Sequence, residues 1–173
     1  MAVRTILRLG DPVLRLQCAR VLKFQASELE TLVGDLRETL ADFRSRAGFG
    51  RGIAAPQIGN TQRVILIVAP TLCPMMNPRI VRRSATRMTL WDDCFSFPDL
   101  MVKVVRHVRV DVAYQDIAGR PRTLRAEGGM AELVQHEIDH LDGILAIDRA
   151  VDSRHVVYRE EWEKMGRPSA VSM

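Results

Sequence analysis

Gln135-His136-Glu137-Ile138-Asp139-His140 sets two histidines four residues apart with a carboxylate directly after the first. In a helix, positions i and i+4 lie one turn apart on the same face, so both imidazoles reach a single ion. A glutamate at i+1 sits beside that face, close enough to take a proton from water without serving as a ligand. The bland reading is a surface helix that carries these polar residues by chance. The flanks argue for the helix: Gly128-Gly129 breaks the preceding segment, and Met130, Leu133, Val134, Ile138 and Leu141 then form an apolar stripe. A half-buried helix bearing a metal site on its polar side is expected.

A catalytic centre of this type takes three protein ligands and leaves one position open. The chain continues from His140 as Leu-Asp-Gly-Ile, with no third histidine at the spacing that metzincins use. Upstream, Trp91-Asp92-Asp93-Cys94-Phe95-Ser96-Phe97-Pro98 offers a cysteine in a polar, proline-terminated segment suited to a strand end. A thiolate binds zinc or ferrous iron strongly, although an isolated cysteine is more often a small buried hydrophobe. A further block, Gly50-Arg51-Gly52-Ile53-Ala54-Ala55-Pro56-Gln57-Ile58-Gly59, combines two close glycines with one amide side chain. Such glycines permit unusual dihedrals and close approach of backbone to a ligand.

These three blocks, in this order, resemble the signature motifs of the peptide deformylases, whose patterns are Gly-x-Gly-Leu-Ala-Ala-Pro-Gln, Glu-Gly-Cys-Leu-Ser and Gln-His-Glu-x-Asp-His. The resemblance extends to Arg8-Leu9-Gly10-Asp11-Pro12-Val13-Leu14 and to His140-Leu141-Asp142-Gly143. It implies a single α+β catalytic domain over residues 1–173, with small antiparallel sheets packed around a central metal-binding helix and residues 151–173 forming a C-terminal helix and tail. The implied activity is removal of the N-formyl group from the N-terminal methionine of nascent polypeptides, with release of formate. The implied ligands are Cys94, His136 and His140, holding one divalent ion per chain; the family commonly uses ferrous iron (Fe2+) in cells, and zinc or nickel can replace it in purified protein. Glu137 is the implied proton shuttle, and the Gln57 amide and the backbone N–H of Phe95 the implied donors to the developing oxyanion. Gly50, Arg51, Gly52, Ile53, Leu90, Asp93, Glu132 and Leu133 are the implied substrate-binding wall.

Departures from the family pattern fall on that wall and on the second motif. Asp92 keeps a carboxylate on a shorter stem than the family's glutamate, within reach of a partner such as Arg106, and Asp93 replaces a glycine next to the thiolate. Phe95 stands where the family has leucine. Glu132 and Gly129 stand where aliphatic residues usually hold methionine, and Arg51 lies between the motif glycines. A charge in that pocket suits methionine poorly unless Glu132 points out of the helix. Asp139 reads equally as a group orienting a ligand histidine or as a solvent-facing charge. Alternatives left open are action on a different N-formyl substrate, a metal-binding pseudoenzyme and an internal-bond metalloprotease. Intact Glu137 and Gln57 weigh against the second, and the missing downstream ligand weighs against the third.

Composition agrees. A chain of 173 residues with 47% hydrophobic content has room for one well-formed core. No apolar run reaches membrane-spanning length, and the first residues lack the apolar segment of a signal peptide, so a cytoplasmic location without a membrane partner is expected. Three cysteines, with Cys18 and Cys73 in apolar surroundings, argue against a disulfide framework. The net charge of +4 is spread over arginine-rich stretches at 79–87 and 120–125, which read as solvated strand faces rather than a DNA site, with weak ribosome contact as the partner beyond N-formylated nascent peptides.

Apolar spacing sets the remaining elements. Ser27-x-x-Glu30 reads as a capping box opening a helix over residues 27–46. Val64–Val68 is a buried strand, and Val108, Val110, Val112 and Tyr114 alternate as a second, with a turn at 116–119 and a return strand at 122–126. Ser153 is the expected cap of a last helix running to about residue 164, followed by a frayed tail from Gly166 to Ser169.

Overall fold

The computed structural model describes residues 1–69 and 71–166, with the backbone of Val171–Ser172; the tail expected at 167–169 lies outside the described residues. Helix α1 (Ser27–Ala47) leads into β1 (Gly52–Ala54), β2 (Val64–Val68), β3 (Leu72–Arg83), β4 (Arg87–Asp92), β5 (Leu100–His107), β6 (Arg109–Gln115) and β7 (Pro121–Glu127). Helix α2 (Gly129–Leu141), β8 (Val156–Tyr158), α3 (Arg159–Lys164) and β9 (Val171–Ser172) complete the described chain. Among the described residues, β1-β2-β3-β6-β7 form one antiparallel sheet and β8-β5-β4-β9 a second. This is the expected α+β architecture of small antiparallel sheets around one helix.

The alternation suggests a strand from Val108, but β6 begins one residue later, at Arg109. Val108 lies between β5 and β6, where the chain leaves one sheet for the other, and its N–H donates to Thr86 O (3.1 Å) while its carbonyl accepts from Gly128 N (2.9 Å). Gln135 braces the same corner from α2: its amide accepts from His107 N (3.0 Å) and donates to His107 O (2.9 Å), as a neighbouring strand would.

The placement of α2 between the sheets explains its burial. Ala131, Val134, Ile138 and Leu141 pack into the core of the five-stranded sheet with Ile65, Met75 and Val112. The helix is not half buried, as its stripe suggests; every residue from Ala131 to Leu141 is buried, because the polar face is covered by β4, β5 and the loop after β4. Buried polar groups on that face must find partners among themselves.

Two expected termini are corrected. Helix α1 starts at Ser27, but Ala26 occupies the N-cap position with no side-chain bond, and the Ser27 hydroxyl turns to Glu28 (3.3 Å), so no capping box forms. Ser27 is already helical, which moves Glu30 one residue beyond the reciprocal position. The expected helix from Ser153 is a single turn at Ser153–His155 capped by Asp152, then β8, then α3. Val156 and Val157 pair with Val102 and Met101 at the edge of the second sheet, and this pairing overrides local helical spacing. The cysteines are free: Cys18 lies in the core, and Cys73 is partly buried beside the Tyr114 hydroxyl (3.8 Å).

Gly143 closes the turn after α2 at φ +72°, and a Cβ there would lie 2.5 Å from the Arg15 carbonyl oxygen. Gly48, which ends α1 at φ +76°, faces open space. Gly48→Ala is therefore expected to cost about 1 kcal/mol of stability and Gly143→Ala at least about 2, since the second adds a backbone clash to the left-handed strain. Urea unfolding of the two variants checks this; equal losses would refute the clash.

Candidate metal centre and active site

Strand β4 ends at Asp92 and the chain turns sharply, with Phe97 N donating to Cys94 O (3.1 Å). The turn carries the Cys94 thiol onto α2. Its Sγ lies 3.2 Å from His140 Nε2, which lies 3.2 Å from His136 Nε2. All three residues are at most 6% exposed. Four-coordinate ligation with bonds of about 2.0–2.3 Å separates donors by roughly 3.3–3.7 Å, so this triangle needs little adjustment to close on one ion. Two imidazole nitrogens facing each other across a dry gap, beside a thiol, have no better common partner than a cation. The residues fit a divalent metal, and the same three side chains form one of the clusters able to hold a metal ion among the described residues.

The histidines differ in their outward partners. His136 Nδ1 lies 2.9 Å from Asp92 Oδ1 and 3.1 Å from Oδ2; burial pushes this ring down, but Asp92 outweighs it and raises it well above the ordinary imidazole range, with Nδ1–H directed at the carboxylate and Nε2 turned toward His140. Asp92 also accepts from Arg106 (3.1 Å), Arg106 pairs with Asp139, and Asp139 with Arg149 (2.9 Å). Asp139, for which sequence left two readings, thus acts at one remove, holding the guanidinium that holds Asp92. Burial pushes the Asp92 carboxyl up, but His136 and Arg106 outweigh it and bring it down to about 2. Burial, then the neighbouring His136, holds His140 well below the ordinary imidazole range, leaving it in the neutral form a metal requires. Its Nδ1 is buried without a partner among the described residues.

Glu137 points from α2 toward β1. Burial raises its carboxyl to about 7, and Oε2 is buried with no hydrogen-bond partner among the described residues. Room for it comes from Gly52, where a Cβ would lie 2.6 Å from Glu137 Oε1. The glycine motif therefore makes space for a side chain of the protein itself, in addition to the ligand approach read from sequence. Gly50, at φ +127°, supplies the unusual dihedral, and a Cβ there would strike the Phe95 ring at 2.5 Å.

Gln57 does two jobs. Its Oε1 accepts from Ala54 N (2.9 Å), the turn-capping role, and this bond turns Nε2 toward Cys94 Sγ (3.5 Å) and Ser96 Oγ (3.4 Å). The Phe95 ring stacks on Phe43 of α1 (centroids 3.8 Å apart, 22° between planes), which seats the backbone after Cys94.

These groups open onto a cleft of about 440 Å³ whose walls include Gly50, Arg51, Gly52, Asp93, Glu132 and Leu133. Two expected wall residues do not line it: Ile53 is fully buried against α1, and Leu90 packs under Cys94 and Phe97. Arg44 and Phe49 line it instead, brought there by the end of α1, whose approach to the cleft no local sequence signal marks. Glu132 faces inward and is paired with Arg51, whose Nη1 also donates to Gly129 O (2.8 Å). Asp93 turns from the thiol to Arg159 (2.8 Å), whose guanidinium lies 4.4 Å over the Phe49 ring. Arg159 and Arg149 were invisible to the sequence reading, being distant in the chain.

Known proteins resemble this chain in sequence and in fold. The polypeptide deformylase family model matches residues 3–156. The peptide deformylase of Thermomicrobium roseum is 37% identical over 95% of each chain, and that of Dictyoglomus thermophilum 36% over 87% of this chain and 94% of its own. Among solved structures, peptide deformylase from Thermotoga maritima superposes with a TM-score of 0.81 at 33% identity, covering 88% of this chain and all of that one. The enzyme from Thermus thermophilus gives 0.77 at 38% identity, covering 95% and 93%. Similarity of this extent, in sequence and in fold alike, makes the chain a member of the peptide deformylase family.

Proposed function

We propose that the protein hydrolyses the N-formyl amide at the start of nascent polypeptides, yielding formate and a free amino terminus, with Glu137 as its proton shuttle. The observation that carries this reading is the Glu137 carboxyl: buried, raised to about 7, lacking an internal partner at Oε2 and set beside the Cys94-His136-His140 triangle. An acid–base group poised near neutral pH can both take and return a proton.

A divalent ion held by Cys94, His136 and His140 would supply Lewis acidity and make water ionisable near neutral pH. Glu137 accepts the proton that the attacking water loses, and as the C–N bond breaks it delivers that proton to the departing amine nitrogen. The formyl oxygen gathers negative charge meanwhile. Gln57 Nε2, aimed by its Oε1 bond, and the Phe95 N–H donate to it; one such donor is worth about 100- to 1000-fold in rate. Asp92 holds the His136 ring, and Leu133 gives the substrate its apolar contact.

Ferrous iron is the proposed ion in the cell, and the same soft and borderline donors accept zinc or nickel. Cytoplasmic action on N-formylated nascent peptides, with weak ribosome contact, follows from the same reading. No helix among the described residues is long and apolar enough to cross a membrane.

Two outcomes test the assignment. Metal-reconstituted protein should carry one divalent ion per chain, and Cys94→Ser should lose most of it by elemental analysis after chelator dialysis; undiminished metal in the variant would remove Cys94 from the ligand set. Glu137→Gln should keep the metal yet release formate from formyl-Met peptides at least about 1000-fold more slowly, and near-normal turnover would place the shuttle elsewhere.

A further inference from the structure

The cleft beside the triangle has a charged inner wall. Glu132 projects from the first turn of α2 with its side chain 7% exposed, while its partner Arg51 is 54% exposed at the mouth. Only Oε2 of Glu132 takes part in that pair; Oε1 accepts no hydrogen bond from the described residues and is not sealed from the cleft. Each Nη of Arg51 gives one hydrogen bond to the protein, to Gly129 O and to Glu132. A Glu132 carboxylate oxygen lies within 4.8 Å of Asp92 and His136 ligand atoms, hence next to the reacting centre. A second carboxylate, Asp93, lines the same space and is answered by Arg159 at the edge. What a substrate side chain meets at depth is an acceptor lacking a donor.

We propose that Glu132, held by Arg51, selects the side chain next to the scissile amide, so that the cleft suits N-formyl amines ending in a cationic hydrogen-bond donor better than it suits methionine. The proposal rests on the deformylase reading and adds a second class of substrate to it. An ammonium seated on Oε1 replaces the water that the carboxylate gives up, in a short charge-assisted bond. A thioether or alkyl chain strips that water and returns nothing, which costs about tenfold or more in binding. Swinging Glu132 outward would break its ion pair with Arg51, so the apolar alternative is not reached by a free rotation.

Lysine and norleucine share a four-carbon stem and differ in the ammonium, which isolates the inferred contact. Metal-loaded protein is given formyl-Lys-Ala-Ser, formyl-norleucine-Ala-Ser and formyl-Met-Ala-Ser, with formate release as one readout. Binding of the N-acetyl-Lys and N-acetyl-norleucine counterparts by calorimetry is the other. The proposal expects kcat/KM for the lysine peptide to exceed that for the norleucine peptide by at least about tenfold, the acetyl peptides to bind in the same order, and the order to reverse in the double variant Arg51→Leu, Glu132→Leu. Norleucine equal to or better than lysine in the unaltered protein overturns it without need of a variant. A variant with full metal content and an unchanged ratio also overturns it, since selection would then lie elsewhere. No formate from any of the three peptides would instead strike the deformylase reading itself.

Discussion

The Asp92 carboxylate, shared between Arg106 and His136 at 3.1 and 2.9 Å, is the constraint on which the rest of the structure depends. It joins the end of β4, the end of β5 and the polar face of α2 in one buried contact, with both members of the ion pair no more than 4% exposed. Taking such charges out of water costs several kcal/mol per ion, and the cost is offset only where each charge is paired. Here Asp139 takes one Nη of Arg106 and Asp92 the other, Arg149 pairs with Asp139, and the His136 ring meets Asp92, while Arg106 Nε has no partner among the described residues. Because the charges in this network are paired, α2 can be buried on all sides, and a buried α2 is what keeps both Nε2 atoms facing the thiol.

The other half of the site depends on small residues rather than charges. Gly52 leaves the volume that Glu137 fills, and Gly50 lets the chain pass over the Phe95 ring, which is fixed in turn by Phe43 of α1. Gln57 then needs only one backbone bond, to Ala54 N–H, to orient its amide. Glu137 is thus placed from the β1 side and Cys94, His136 and His140 from the β4–β5 side, with α2 between them.

Local signals in the sequence were sufficient for what is local. The spacing of His136 and His140, the apolar period of α1 and the run Val64–Val68 each depend on neighbours a few residues away, and they appear as written. Pairing across the chain was legible for Asp92 with Arg106 but not for the charges that line the cleft. Asp93 looked like a charge thrust at a thiolate because Arg159, its partner, stands 66 residues later, in an element whose existence depends on β8 joining the sheet edge. Glu132 could be read as facing in or out; its partner Arg51 lies 81 residues earlier, on the loop before β1, and decides the matter. Leu90 and Ile53 are apolar residues inside the right motifs, but strand alternation sends their side chains to the far side, into cores that close only when both sheets are in place.

The central claim is that the Asp92–Arg106 pair fixes His136 as an Nδ1–H, Nε2-donating ring. Nitrogen-15 correlation NMR of the imidazoles in zinc-loaded protein reads that tautomer directly. The account predicts a protonated Nδ1 on His136, protected from exchange and in contact with Asp92, with Nε2 shifted by metal in both His136 and His140. A His136 that meets the metal through Nδ1, or an Nδ1–H that exchanges as fast in the unaltered protein as in Asp92→Ala, would contradict it.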